Sequence, residues 1–278
     1  MLPEKVRRSR IACIGGGNMG RALIGGWLAR GMPAAQVAVG DADPVIRAAL
    51  VRDFAVTATD SNAAAVRTAA IVVLALKPQV LRQAVAPLRP LLAASKPLVI
   101  SVAAGIRIRD LQDACGPGVP VVRAMPNRPA LVGAGAAALH APASVGAAAR
   151  ILAADVLQAV GTVVWVAEED MLDVVTALSG SGPAYFFYLA ELMAAAAVRL
   201  GLEAGAARAL AVATLAGSGA LATAQGGDLA RLRSEVTSKG GTTEAALRSL
   251  VEADLGGIVL RALTAAAERS RELAGGTP

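Results

Sequence analysis

The chain has 278 residues, the length of about two domains. With 27 Lys plus Arg against 21 Asp plus Glu its formal charge is +6, and with 55% hydrophobic and 17% charged residues disorder is excluded as its main state. One histidine, His140, and two cysteines, Cys13 and Cys115, cannot build a His-rich metal site, a four-cysteine zinc site or a disulfide framework, so no metal is expected.

A Ser-His-Asp triad would have to use His140 alone. Aromatics at 3% and the lack of a basic stripe argue against a nucleic-acid partner. The modest positive balance suits an anionic substrate or a phosphate-bearing cofactor, although an arginine-rich proteome would give the same count.

Residues 1–10 carry Lys5, Arg7, Arg8 and Arg10, but an apolar strand and glycines follow, not the apolar core of a signal peptide. A cytoplasmic location is expected, with reduced thiols and Cys13 in the core. Strands are predicted at 11–14, 37–40, 71–76, 98–103, 119–122 and 162–166. Each is short and nearly continuously apolar, as strands covered on both faces should be. The intervening stretches are long enough for helices, so repeated βα units predict a mainly parallel α/β sheet.

Two long uncharged stretches, 130–149 and 209–227, lack the Leu, Ile and Phe density of a spanning helix. Their small residues are read as buried, closely packed helices, and no membrane partner is expected. After residue 167 no β-rich run occurs. Helices are predicted at 183–200, 205–224, 228–236, 243–252 and 256–273, with Pro183 in a first turn and Gly201 and Gly275-Gly276 as stops. Helix 205–224 is apolar almost all round and must be covered, either by a second subunit or within a bundle.

Gly15-Gly16-Gly17-Asn18-Met19-Gly20 follows the first strand and opens a helix over 21–30. The spacing of Gly15, Gly17 and Gly20 is that of a dinucleotide loop: a tight turn, close approach of a diphosphate, and close helix packing. Free N–H groups at the helix start then face the anion. Asp41, about 20 residues on, ends the second strand, where an acid takes ribose hydroxyls and favours NAD. Arg47 nearby could instead meet the 2′-phosphate of NADP, so both cofactors stay open. Lys77 and Pro78, at the exit of the 71–76 strand, lie where open α/β sheets bind ligands. Ala103, Ala104 and Gly105 are small enough for a flat ring to lie against the backbone.

In the helical half, Ser238-Lys239-Gly240-Gly241-Thr242-Thr243 leads into a helix and predicts a nest of N–H groups for a carboxylate or phosphate. A capped helix start without a ligand is the alternative. Glu244 in the first turn would weaken anion binding and is expected to point away. A second motif, LSGSGPAY over 178–185, precedes the 183–200 helix.

Taken together, IGGGNMG (14–20), LALKPQ (74–79), VISVAAGI (99–106), RAMPN-x-P (123–129), LSGSGPAY (178–185) and VTSKGGTT (236–243) resemble the pyrroline-5-carboxylate reductase family. The resemblance implies reduction of 1-pyrroline-5-carboxylate to L-proline by NADPH or NADH. It implies a Rossmann domain, here 1–167, and an all-α dimerisation and substrate-binding domain, here 168–278, with dimers often assembled into rings. Cofactor contacts are implied for Gly15, Gly17, Asn18, Met19, Gly20, Asp41, Asn62, Lys77, Pro78, Ala103, Ala104, Gly105, Met125 and Asn127. Substrate binding is implied for Ser238, Gly240, Gly241, Thr242 and Thr243, with Thr243, the catalytic candidate, near the ring nitrogen. Arg128 and Lys239 depart from the family's usual threonine and proline. Arg128 is expected to point to the surface. A related imine or hydroxyacid dehydrogenase, or a non-catalytic dinucleotide sensor, are the alternatives. Glu191 is the only acid in 183–198, which weakens the first.

Overall fold

Eight strands form one sheet: β1 (Ile11–Ile14), β2 (Val37–Gly40), β3 (Thr57–Thr59), β4 (Ile71–Leu74), β5 (Leu98–Ser101), β6 (Val121–Met125), β7 (Gly135–His140) and β8 (Gly161–Trp165). Their order is β3-β2-β1-β4-β5-β6-β7-β8 in the computed structural model, which describes residues 1–275. All neighbours are parallel except β6 and β7. The strand order reverses beside β1, so the carboxyl ends of β1 and β4 border the crevice in which such sheets take ligands.

The continuous apolar runs follow from burial on both faces. In β1, Ile11 and Cys13 point into one core and Ala12 and Ile14 into the other. Ile71 and Val73 of β4 divide from Val72 and Leu74 in the same way. The first face is covered by α1 (Glu4–Arg8), α2 (Asn18–Ala29), α3 (Pro44–Phe54) and, further along, α8 (Ala147–Gln158). The second is covered by α4 (Asn62–Val66), α5 (Pro78–Val85), α6 (Arg89–Ser95) and α7 (Ile108–Cys115). Trp27 of α2 is fully buried, and its Nε1–H donates to the Val156 carbonyl at 2.9 Å, which satisfies the one polar atom its burial would strand. Gly26 lets α2 approach, since a Cβ there would meet Val160 at 2.4 Å. Helix α9 (Met171–Val175) and a π-turn over Thr176–Gly180 follow β8.

This sheet unit comprises Met1–Gly180 and the chain from Ala266. The second unit, Ser181–Ala265, contains α10 (Gly182–Arg199), α11 (Ala204–Ala224), α12 (Leu229–Glu235), α13 (Thr242–Glu252) and the first part of α14 (Leu255–Gly275). Pro183 lies in the first turn of α10, and Gly201 at φ +102° ends the connection after it. Glu203 caps α11 by accepting from Gly205 and Ala206 N–H, both at 2.8 Å. Of α11 only Ala207 is buried. Phe186, Phe187, Tyr188, Leu210 and Val212 of α10 and α11 are each more than half exposed, so among the described residues no bundle covers this apolar surface.

Several expectations are corrected. The 71–76 and 98–103 strands end at Leu74 and Ser101. The 119–122 strand is shifted to Val121–Met125, because Pro120 has no N–H for a ladder. Strands β3 and β7 have no counterpart in the prediction. The stretch 130–149 is not helical throughout: a 3₁₀ turn (Arg128–Val132), β7 and the start of α8 divide it. Its alanines favour helix, but Gly133 at φ +71° and Pro142 break the run, and β7 is held by ladders on both sides. The compact units divide after Gly180, later than the loss of strands at 167. Gly275 is still helical in α14, and Gly276, the second residue of the expected stop, lies outside the described residues.

Candidate active site

The glycine loop leaves β1 with each glycine in a different steric role. Gly15 has φ +99°, and a Cβ there would sit 2.4 Å from the Ala75 carbonyl oxygen. A Cβ on Gly20 would lie 2.0 Å from the Gly15 carbonyl oxygen, so the start of α2 can press onto the turn only without a side chain. Gly17, the N-cap of α2, has no atom within 4 Å of its Cβ position. The fold therefore requires the outer glycines, while the middle one faces open space. The first intrahelical bond runs from Arg21 N–H to the Gly17 carbonyl. The N–H groups of Asn18, Met19 and Gly20 precede it and have no helical acceptor. Asn18 is exposed, and Met19 packs partly into the core. An open face beside unpaired N–H groups fits a dinucleotide diphosphate.

The other predicted cofactor residues come together at the carboxyl edge of the same sheet. Asp41 follows β2, and its Oδ2 accepts Gly16 N–H at 2.7 Å. Asn62 opens α4 behind the Ser61 cap, with its Oδ1 2.4 Å from a Cβ built on Gly40. Lys77 is exposed as the N-cap of α5, with Pro78 in the first turn. After β5, Ala103 is buried, Ala104 exposed, and Gly105 takes φ +75°.

Met125 ends β6, its Cε 2.7 Å from the Cβ position of Gly180. Asn127 is a bracket: its Oδ1 accepts Ala136 N–H at 2.8 Å and its Nδ2 donates to the Ser179 carbonyl at 2.9 Å. The two ends of its amide hold the β7 start and the π-turn, which places Ser179 against the MPN loop. Arg128 is exposed, as expected.

Both thiols are fully buried. Burial, with Asp41 adding to it, pushes Cys13 up to about 12, and burial alone pushes Cys115 to about 12. His140 bonds the Val166 carbonyl at 3.2 Å, away from the glycine loop in sequence and strand position. Among the described residues no cluster of His, Cys, Asp and Glu could hold a metal.

In the second unit, the 238–243 turn forms at the start of α13. Gly240 takes φ +71°, and Gly241 is the N-cap. Gly241 N–H donates back to the Ser238 carbonyl at 3.0 Å, and the first helical bond is Ala245 N–H to the Gly241 carbonyl. That leaves the N–H groups of Thr242, Thr243 and Glu244 without helical acceptors. Thr243 is half-buried; Ser238, Lys239, Gly240 and Thr242 are exposed. Glu244 does not point away. Its carboxylate accepts Gly240 N–H at 2.7 Å, because an acid at the third helical position reaches back to orphan donors as in a capping box. Gly240 thus supplies the bend, and its N–H is already engaged.

The sequence also carries a buried ion pair that motif reading passed over. Arg123, inside the apolar run of β6, is 4% exposed, and its Nη1 donates to Glu169 at 2.8 Å. The same Glu169 oxygen accepts Ile108 N–H at 2.8 Å. Beside it Arg107 pairs with Asp170 and holds that carboxyl below its ordinary range. Asp173 and Ser270, both buried, share a 2.6 Å hydrogen bond that ties α9 to the end of α14. A lone charge in a buried strand must be paired, and this was the available signal.

Residues 169–273 match the family model described as pyrroline-5-carboxylate reductase dimerisation. Residues 10–105 match one described as NADP oxidoreductase, coenzyme F420-dependent. Over 265 residues the chain is 44% identical to the pyrroline-5-carboxylate reductase of Pseudomonas aeruginosa, spanning 95% of this chain and 97% of that one. The chain belongs to the pyrroline-5-carboxylate reductase family. The Pisum sativum member is 37% identical, spanning 98% of this chain and 99% of its own. Among solved structures, the family member from Coxiella burnetii superposes with a TM-score of 0.92 at 37% identity, over 96% of this chain and 98% of that one. The Plasmodium falciparum member, solved with NADP bound, gives 0.81 at 26% identity, over 96% and 99%. By length and composition α11 is long and apolar enough to cross a membrane. It lies wholly inside the dimerisation match, which accounts for its apolar faces through a homo-oligomer.

Proposed function

We propose that this chain reduces 1-pyrroline-5-carboxylate to L-proline with NADPH or NADH, as a cytoplasmic homo-oligomer. The observation that carries the reading is a pair of glycine turns at helix starts, one fitted to a diphosphate and one to a small carboxylate, in a member of this family. When bound, the reduced nicotinamide supplies the hydride.

The chain's own residues then have separate tasks. The N–H groups of Asn18, Met19 and Gly20 hold the diphosphate, and Gly17 leaves room for it. Asp41, Asn62, Lys77, Pro78, Ala103, Ala104, Gly105 and Met125 shape the rest of the nucleotide site. Asn127 acts through the Ser179 segment it positions. Ser238 and the N–H groups of Thr242 and Thr243 hold the substrate carboxylate, with Gly240 and Gly241 forming the bend. The Thr243 hydroxyl meets the ring nitrogen and so selects the face of the imine that is attacked. The imine nitrogen takes its proton from water, which suits a chain whose single histidine lies outside these motifs.

The test is loss of reduced-nicotinamide absorbance with 1-pyrroline-5-carboxylate, against hydroxyacids and bulky cyclic imines. Selective turnover of 1-pyrroline-5-carboxylate is the expected result. Turnover of hydroxyacids instead, or binding without oxidation for every imine, overturns the proposal. A ring of dimers is part of the proposal, and light scattering would measure it as a multiple of the dimer mass.

A further inference from the structure

The end of β2 carries charges that bear on which dinucleotide the chain takes. The Asp41 carboxylate is fixed on both oxygens: Oδ2 accepts Gly16 N–H at 2.7 Å and Oδ1 accepts Asp43 N–H at 2.9 Å. The first of these bonds ties it to the glycine loop itself. A second carboxylate, Asp43, caps α3 through Val45 N–H at 2.8 Å. The nearby cation is turned elsewhere. Arg47 Nη1 donates to the main-chain carbonyls of Asp41 at 2.8 Å and Ala42 at 2.9 Å. Arg47 therefore clamps the backbone of the β2–α3 connection and forms no ion pair with Asp41. Among the described residues Asp41 has no ion-pair partner at all.

We infer that Asp41 makes this chain select NADH over NADPH, with Arg47 acting as a backbone clamp and not as a phosphate partner. The inference rests on the reading of 15–20 as the diphosphate cradle. An acid at the end of β2 in such a fold meets the adenosine ribose. A fixed, unpaired carboxylate accepts hydrogen bonds from the two ribose hydroxyls of NADH. It repels the 2′-phosphate of NADPH, and Asp43 adds to that repulsion. Fixing the carboxylate in advance on two backbone donors also spares the ligand the task of ordering it.

The test is direct titration of the unaltered protein with NADH and with NADPH by nicotinamide fluorescence, with no imine present. NADH should bind about tenfold more tightly or better, the scale of one partly screened charge contact. Asp41→Asn removes the charge and, with its single oxygen, keeps only one of the two backbone bonds; it should move the affinity ratio about tenfold toward NADPH. Arg47→Gln should change both affinities alike.

Tighter NADPH binding by the unaltered protein overturns the inference. So does an Asp41→Asn protein whose affinity ratio is unchanged, because Asp41 would then only shape the loop. Selective loss of NADPH binding in Arg47→Gln overturns it as well. If Asp41→Asn fails to fold, the unaltered ratio and Arg47→Gln decide. Failure of the unaltered protein to bind either nucleotide removes the dinucleotide reading itself and the selectivity with it.

Discussion

The two units of this chain solve burial in opposite ways. In the sheet unit every strand from β1 to β6 except β3 is almost entirely buried, and helices cover both faces. Within Ser181–Ala265 only Gly182 and Ala207 reach full burial, although α10 and α11 are rich in Phe, Leu, Val and Ala. Burial of a Val, Leu or Phe side chain is worth about 1.5–3 kcal/mol. The sheet unit gains this within one chain, and the helical unit can gain it only from a partner. The two glycine turns divide along the same line. Gly15 and Gly20 are demanded by their own backbone, whereas Gly240 has no atom within 4 Å of its Cβ position and is demanded only by its φ of +71°.

The comparison breaks most directly at α11. Val212→Asp puts an unpaired charge on the exposed apolar face that a second subunit should cover. An uncompensated buried charge costs about 3–5 kcal/mol, so the variant should run as a monomer by light scattering. It should still bind nucleotide, since the sheet unit holds its own core. An unchanged oligomer would show that this face is not the one covered.

The glycine loop sharpens the contrast from the other side. Gly20→Ala forces a Cβ to 2.0 Å from a carbonyl oxygen that cannot give way. About 3 kcal/mol of stability should be lost, read as a fall in melting temperature together with nucleotide binding. Gly17→Ala has open space and an ordinary φ of −64°, so its melting temperature should stay near that of the unaltered protein while nucleotide affinity falls. Equal effects of the two substitutions would mean that the middle glycine serves the fold and not the ligand.

In the second turn the effect should appear in turnover alone. Thr243→Ala removes a hydroxyl from a half-buried helix start and leaves the backbone cradle in place. Loss of one positioned hydrogen bond at a reacting group lowers the rate about a hundredfold. Affinity for the reduced nucleotide should be unchanged. Normal turnover would remove Thr243 from the site.

What could be read in advance follows the same physics. The buried parallel strands were legible because a short, continuous β-branched run between turn residues fits a strand covered on both faces and little else. Thr57-Ala58-Thr59 was not, because a short edge strand buries too little to leave a pattern. Strand β7, Gly135 to His140, hides its pairing in alanines that favour helix until β6 and β8 hold them extended. The outer glycines were assigned their roles correctly from spacing alone. The position of Glu244 was not, because the charge argument sends it away from an anion site and the local hydrogen bond to Gly240 N–H brings it back. The motif marks Asn127 as a ligand contact and gives no sign of its structural link, in which the amide joins the β7 start to the π-turn at Ser179, segments distant in sequence.

The smallest effect concerns how the helical unit supports itself. With so little buried surface, α11 depends at its start on the Glu203 cap. Two backbone N–H bonds, with Arg208 adding its charge, hold this carboxyl below its ordinary range. A depressed folded value means that the cap stabilises above the unfolded value and is lost as pH falls through the folded one. Glu203→Gln keeps one acceptor oxygen and removes the charge at the positive end of the helix dipole. It should therefore lower the melting temperature slightly at neutral pH, and the gap should close as acid protonates the unaltered carboxyl. A gap that persists undiminished in acid would mean that the side chain acts by shape alone. The exposed start of α11 would then draw none of its stability from charge.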